Sequence, residues 1–414
     1  MNNQKVMNRG LVVVGAILIQ LALGAIYAWS VFTPSLTEVG WTKEDTQWVF
    51  AIGLASFAIF MVFSGKKLAS WGPQKLAWLG GIILGLGYIL AGFIGGTSFI
   101  SLVILLGLIG GAGIGIAYVV PIAVGMRWFP DKKGMITGLA VAGFGFGATL
   151  WVKLAGSWGH LIANLGLSTT FMVYGIAFAA MVIIGGLWMK FPPAGWKPEG
   201  YEDKGATGGA ADDREFSSRE MLGKVQFYLI FLTFIFSAGA GLMSIGLMKL
   251  YPMEALMANG FSQGEASAIA GTAMAIFFSL ANGLGRILWG TLSDKLGRKT
   301  SIIAMTAIQG VVVILFTYMA GSEYLLYLGA TLIGFNFGGN FALFPTITAD
   351  TFGAKNVGLN YPWVFLAYGF GGIMGPILGG KLGDMGNFPL AFTIAGIAVL
   401  CGTVLTIMVK PAKK

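Results

Sequence analysis

The sequence predicts an all-α polytopic membrane protein: twelve transmembrane helices in two six-helix pseudo-symmetric bundles, residues 1–190 and 225–414, joined by a cytoplasmic linker at 191–224. Three observations predict it. Hydrophobic residues make up 56% of the 414 and charged residues only 10%, against roughly 25% charged in an ordinary soluble domain, so there are too few charges to cover a water-facing surface. Twelve apolar runs are each long enough to span a bilayer, which takes about 20 residues. The two groups of six also carry matching sequence at a nearly constant offset.

The runs lie near 11–33, 46–65, 75–96, 100–126, 134–157 and 169–189 in the first half, and 226–251, 264–292, 300–320, 324–346, 358–382 and 389–409 in the second. Met1 to Gly10 is short and polar, and the run from Leu11 is too long for a signal-peptide core, so it reads as a retained first span. Basic loops stay cytoplasmic. With the N-terminus inside, 21 of the 26 Lys and Arg fall on the cytoplasmic side, and only Lys43, Lys249 and Lys381 fall outside. Both termini are therefore expected in the cytoplasm, in a multi-pass protein of the cell's inner (plasma) membrane. The formal charge of +9 is mostly this bias and does not argue for nucleic acid. Residues 191–224 mix Gly, Ala, Asp, Glu and Lys without periodicity and read as a flexible linker. Gly65 and Gly72 after span two match Gly290 and Gly297 after span eight at an offset of 225, and Phe129 to Lys132 matches Phe352 to Lys355 at 223. The halves read as parallel repeats. A single Cys (Cys401) and a single His (His160) leave no disulfide, no His-rich metal site and no catalytic constellation, so neither a cofactor nor an enzyme is expected.

Two cations fall inside predicted spans, Lys153 and Arg286. A guanidinium inside a span is costly and is retained for a polar partner or a water-filled cavity. No Asp or Glu lies in the middle of any predicted span, so the substrate itself is expected to supply the negative charge, bidentate on the planar fork. Asn282 is one turn from Arg286 on the same face and can share a carboxylate oxygen. Lys153 lies near the external end of span five and reads as snorkelling outward. Phe337 and Phe341 share one face of span ten, and Tyr118 is their first-half counterpart. Together they form an aromatic cage that excludes water and strengthens the arginine contact. Tyr27 adds a hydroxyl from span one, and Tyr368 lies about ten residues into span eleven, near mid-membrane; Gln20, Asn336 and Asn340 rank lower. The 65 glycines, as in Gly143-x-Gly145-x-Gly147, read as close helix packing and not as phosphate loops.

The loop Gly290-x-x-x-Asp294-x-x-Gly297-Arg298-Lys299 resembles the signature loop of the major facilitator superfamily, and its first-half counterpart has Ala69 where the Asp would lie. Asp294 and Arg298 are read as a cytoplasmic gate latch. Further stretches resemble the oxalate/formate antiporter family and the related monocarboxylate transporters: Gly24-Ala25-Ile26-Tyr27-Ala28-Trp29-Ser30-Val31-Phe32, Trp128-Phe129-Pro130-Asp131-Lys132-Lys133-Gly134, Asn282-x-x-x-Arg286, Phe335-Asn336-Phe337-Gly338-Gly339 and Lys355-Asn356-Val357-Gly358-Leu359-Asn360-Tyr361. The resemblance implies the major facilitator fold, a central cavity reached alternately from each side, and Arg286 at the position that binds the substrate carboxylate. It also places Tyr368 where oxalate transporters carry a second lysine. One cation suits a monoanion, so lactate, pyruvate or a similar acid is expected over oxalate. The animal carriers' Asp at the Asn282 position and their span-one Lys near Val31 are both missing, so the proton is expected on or beside the substrate. A monomer that carries a small organic anion together with a proton across the bilayer is the resulting picture; exchange of the oxalate/formate type is the alternative.

Overall fold

In a bilayer no water is present to satisfy backbone N–H and C=O groups, so an apolar segment must hydrogen-bond within itself. The computed structural model of the protein is accordingly helical throughout. It describes residues 7–129, 133–193, 196, 198, 215–353 and 357–410. Twelve long helices run through them: α1 Arg9–Val31, α2 Lys43–Trp71, α3 Pro73–Phe93, α4 Phe99–Gly125, α5 Lys133–Ala155, α6 Leu161–Gly186, α7 Val225–Leu247, α8 Gln263–Ser293, α9 Arg298–Met319, α10 Glu323–Phe352, α11 Val357–Asp384 and α12 Phe388–Met408. Ten of these are long and apolar enough to cross a membrane. The other two are α5, whose described side chains form an apolar run over Val141–Ala155, and α10, in which Asn336 and Asn340 interrupt the apolar run.

The helix starts and stops follow from local chemistry. α2 opens with a capping box, the Thr42 hydroxyl accepting from the Asp45 N–H while the Asp45 carboxylate accepts from the Thr42 N–H. α8 opens the same way with Ser262 and Glu265. Both helices run into a glycine with positive φ, Gly72 at 80° and Gly297 at 85°, a conformation that side chains with a Cβ rarely adopt. That requirement explains why the sequence repeats glycine here at a spacing of 225. α6 begins eight residues before the apolar run at 169, because Gly166 (φ 72°) breaks the helix and lets the amphipathic turn from Leu161 precede it. α7 ends at Leu247, earlier than the expected 251, and Lys249 lies in the turn before a short helix, Leu250–Ala258. At the end of the linker, Ser218–Leu222 forms a capped helical turn and Phe216 is buried against Phe352; most of the linker, like Asp131, Lys132, Lys355 and Asn356, lies outside the described residues.

Glycines bring the helices together. A Cβ on Gly85 would lie 2.8 Å from the Gly175 carbonyl and one on Gly175 2.6 Å from that of Gly85, which joins α3 to α6 backbone to backbone. Gly310 and Gly396 do the same for α9 and α12. α2 packs along α11 and α5 along α8, so helices from both sequence halves form the central seam.

Candidate functional site

Arg286 projects from α8 into that seam and is 1% exposed. A helical Cα–Cβ bond tilts toward the helix N-terminus, so the guanidinium reaches back from the C-terminal half of α8 toward its middle. Its Nε donates to Asn282 Oδ1 at 3.2 Å, the i, i+4 contact expected from spacing. This bond orients the Asn282 amide so that its nitrogen faces away. The carbon of the guanidinium lies 4.0 Å from the centre of the Phe341 ring and 5.6 Å from that of Phe144. The aromatic faces hold the fork and leave its edge to donate. Arg286 Nη1 and Nη2 and Asn282 Nδ2 are buried without a hydrogen-bond partner. Leaving buried donors unmade costs about 1–3 kcal/mol each, more when charged. All three are donors, which suits an acceptor group, and beside the guanidinium charge an anion most of all.

The remaining predicted residues surround this group. Tyr27 from α1 and Tyr368 from α11 share a hydroxyl–hydroxyl hydrogen bond of 3.0 Å across the two halves. Tyr27 packs edge-on to Phe337 at 5.7 Å, Phe337 to Phe341 at 5.4 Å, and Phe341 to Tyr368 at 5.7 Å. Tyr118 joins from α4 through Phe144, 5.3 Å away, and its carbonyl accepts from Gln20 Nε2 at 3.2 Å. All seven predicted side chains are buried, so the site is closed to both sides in this conformation. Asn340 and Asn336 turn elsewhere, to Ser237 and to the Leu332 carbonyl.

Sequence reasoning missed four aromatic neighbours. Phe144 faces the guanidinium and Tyr27. Phe57 touches Tyr118 and Tyr368 at 4.9 and 5.6 Å, and Phe365 stacks on Tyr368 at 4.9 Å. Tyr361 lies within electrostatic reach of Arg286. The signal for Phe144 was present: it sits in the Gly143-x-Gly145-x-Gly147 run, where a Cβ on Gly24 would lie within 2.1 Å of the Phe144 carbonyl. Those glycines bring the ring to the centre.

Of the loop residues, Arg298 pairs with Asp350 of the same half at 3.5 Å and donates to Ser293; the Asp294 side chain lies outside those described. The described latch between halves is on the other side. Lys43 forms a 2.5 Å ion pair with Glu254, and Asp384 accepts from the Lys43 and Glu44 N–H groups at 2.7 and 2.9 Å, a carboxylate on the N-terminus of α2. Lys153, expected to reach outward, is instead buried, its Nζ donating to Thr272 Oγ1 at 3.1 Å.

The chain is 29% identical over 374 residues to the uncharacterized MFS-type transporter YhjX of Escherichia coli, covering 88% of this chain and 86% of that one. It is 28% identical over 418 residues to the oxalate:formate antiporter of Oxalobacter formigenes, covering 98% and 94%. Apicoplast pyruvate carrier 1 of Toxoplasma gondii is 25% identical over 379 residues, covering 80% and 68%. The family model described as Major Facilitator Superfamily matches residues 13–277 and 229–414, and a helical membrane protein with its polar site on the seam between two sequence halves fits that match: the chain belongs to the Major Facilitator Superfamily.

Proposed function

We propose that this chain carries small monocarboxylates of the lactate and pyruvate class across the plasma membrane by alternating access, with Arg286 holding the carboxylate and a proton moving with it. In this reading all twelve long helices cross the bilayer, both termini are cytoplasmic, and the chain works as a monomeric transporter and not as an enzyme. The observation that carries it is the buried guanidinium with two unpartnered nitrogens beside the unpartnered Asn282 amide. Among the described residues no carboxylate pairs with Arg286, so the cargo completes the pair. The likeness to a pyruvate carrier supports the substrate class, and Tyr368, a hydroxyl where a second cation would serve a dianion, supports a monoanion. With no acid beside the arginine, the proton travels on or next to the substrate.

Purified protein in liposomes should take up labelled lactate or pyruvate faster under an inward proton gradient. Removing one member of a buried charge pair costs about 3–5 kcal/mol, so Arg286→Gln should lower uptake by roughly a hundredfold or more. Unaltered uptake by that variant would sink the assignment. The second reading is carboxylate exchange, favoured by the likeness to the oxalate:formate antiporter across 98% of the chain. Uptake that requires preloaded substrate inside and ignores pH would select it.

A further inference from the structure

Among the described residues, two buried cations outside the central site pair with no carboxylate. Lys153 on α5 is 9% exposed and Lys249, in the turn after α7, is 8% exposed. Both amines turn to the outer end of α8. Lys249 Nζ donates to the Ser267 carbonyl and, at 2.8 Å, to Ser267 Oγ, and it passes within 3.3 Å of where a Cβ on Gly271 would sit. Lys153 Nζ donates to Thr272 Oγ1, the next residue along. Each ammonium has three donors, so three N–H groups remain after these bonds. The outer acids with a described contact turn elsewhere: Asp45 to Thr42, Glu44 to Trp48, Glu254 to Lys43, Glu265 to Ser262, Asp384 to the start of α2, and Glu323 to the Tyr327 hydroxyl. Two like charges in a half-dry mouth repel each other. Burial first and then the Lys153 charge lower the Lys249 pKa to about 8.

We propose that Lys153 and Lys249 form a second carboxylate site at the external mouth, where an incoming small organic anion is captured before it passes to Arg286. The position fits a relay. Lys153 stands nine residues beyond Phe144 on α5, about 13 Å at 1.5 Å per residue, and Phe144 faces the Arg286 guanidinium. The seam between them is closed by Thr149 donating to the Ala275 carbonyl and by Lys153 on Thr272, both bonds between the two halves. When the outer side opens, those bonds break. Lys153 then exchanges a neutral hydroxyl for a carboxylate, a charge-assisted bond roughly twice as strong. In the shut form the hydroxyls of Ser267 and Thr272 hold the two amines in place of the anion. Focused positive charge in a low-dielectric cleft raises the capture rate in a manner that salt screens.

The inference rests on the reading of Arg286 as the cargo site, and the experiment separates the two. Transport of labelled lactate is measured in right-side-out and inverted membrane vesicles for the wild type, Lys153→Gln, Lys249→Gln, the double variant and the double Lys→Arg variant. The double Gln variant should raise KM for entry from the external face by about tenfold, leave KM from the cytoplasmic face unchanged, and lose the salt dependence of external KM; the Arg pair should restore all three. An unchanged external KM in the double Gln variant overturns the proposal and leaves the Arg286 assignment standing. So does equal loss from both faces without rescue by Arg, which marks the lysines as structural. Wild-type protein that neither binds nor moves lactate, pyruvate or another small monocarboxylate removes the central assignment and this one with it.

Discussion

At the scale of single residues, the central site is a matter of which polar atoms are left over. Arg286 Nε is engaged by Asn282 and its face by Phe341, so only the fork remains to donate. Tyr368 decides how many charges the opposite wall offers. It is fully buried among Tyr27, Phe57, Phe341 and Phe365, where a second cation would have no protein anion. Tyr368→Lys should therefore move preference from monoanion to dianion. Competition against labelled lactate tests this: oxalate should compete at least tenfold better in the variant than in the wild type, one factor of ten corresponding to about 1.4 kcal/mol. Oxalate competing no better in the variant would remove Tyr368 from the specificity wall.

At the scale of elements, glycine determines how near the helices bearing these residues can stand. A Cβ on Gly338 of α10 would meet the Asn282 carbonyl at 2.2 Å and the Asn282 Oδ1 at 3.0 Å. Gly338→Ala should thus force α8 and α10 apart, cost about 1–3 kcal/mol as overpacking does, and turn Asn282 away from Arg286. Thermal unfolding in detergent should show a lower Tm, and uptake should show a higher KM. Gly264→Ala serves as the control, since nothing lies within 4 Å of a Cβ there; equal Tm values for the two variants would contradict the packing argument. α8 also carries a π-helical stretch, Ala273–Phe278, between its lysine contacts at Ser267 and Thr272 and Arg286. Its wider turn shifts the helix face between the two ends, so residues at both ends reach the seam.

At the scale of the whole molecule, charges that join opposite halves hold one end of the seam shut, the external end in the proposed topology. Asp384 on α11 caps α2, and Lys43 spans to Glu254. Losing a cap carboxylate costs about 0.5–2 kcal/mol, enough to shift an equilibrium between shut and outward-open forms. Asp384→Ala should speed external labelling of a seam cysteine by roughly tenfold, the factor that about 1.4 kcal/mol produces. Leu54→Cys supplies it, because Leu54 packs against Gly372 of α11, in a Cys401→Ser background that removes the exposed native thiol. An impermeant maleimide reads the rate. Equal rates with and without Asp384 would show that the latch does not control the seam.

The sequence by itself determined the helices and the charge that matters. Apolar runs in a medium without water leave the backbone no other choice, so most helix ends fell within a few residues of their expected places. An arginine in such a run is conspicuous for the same reason. Phe337 and Phe341 were legible because spacing along a helix assigns a face, Tyr118 because the repeat offset makes it their counterpart, and Tyr368 through the family resemblance. What only the tertiary structure decided were contacts between distant helices: Phe144 and Phe365 against the site, Asp384 on α2, and Lys249 turned to Ser267. Periodicity says which side of a helix is apolar, not which helix it meets. Those partners are chosen by glycine-sized gaps between backbones, a property of two segments at once that neither segment records alone.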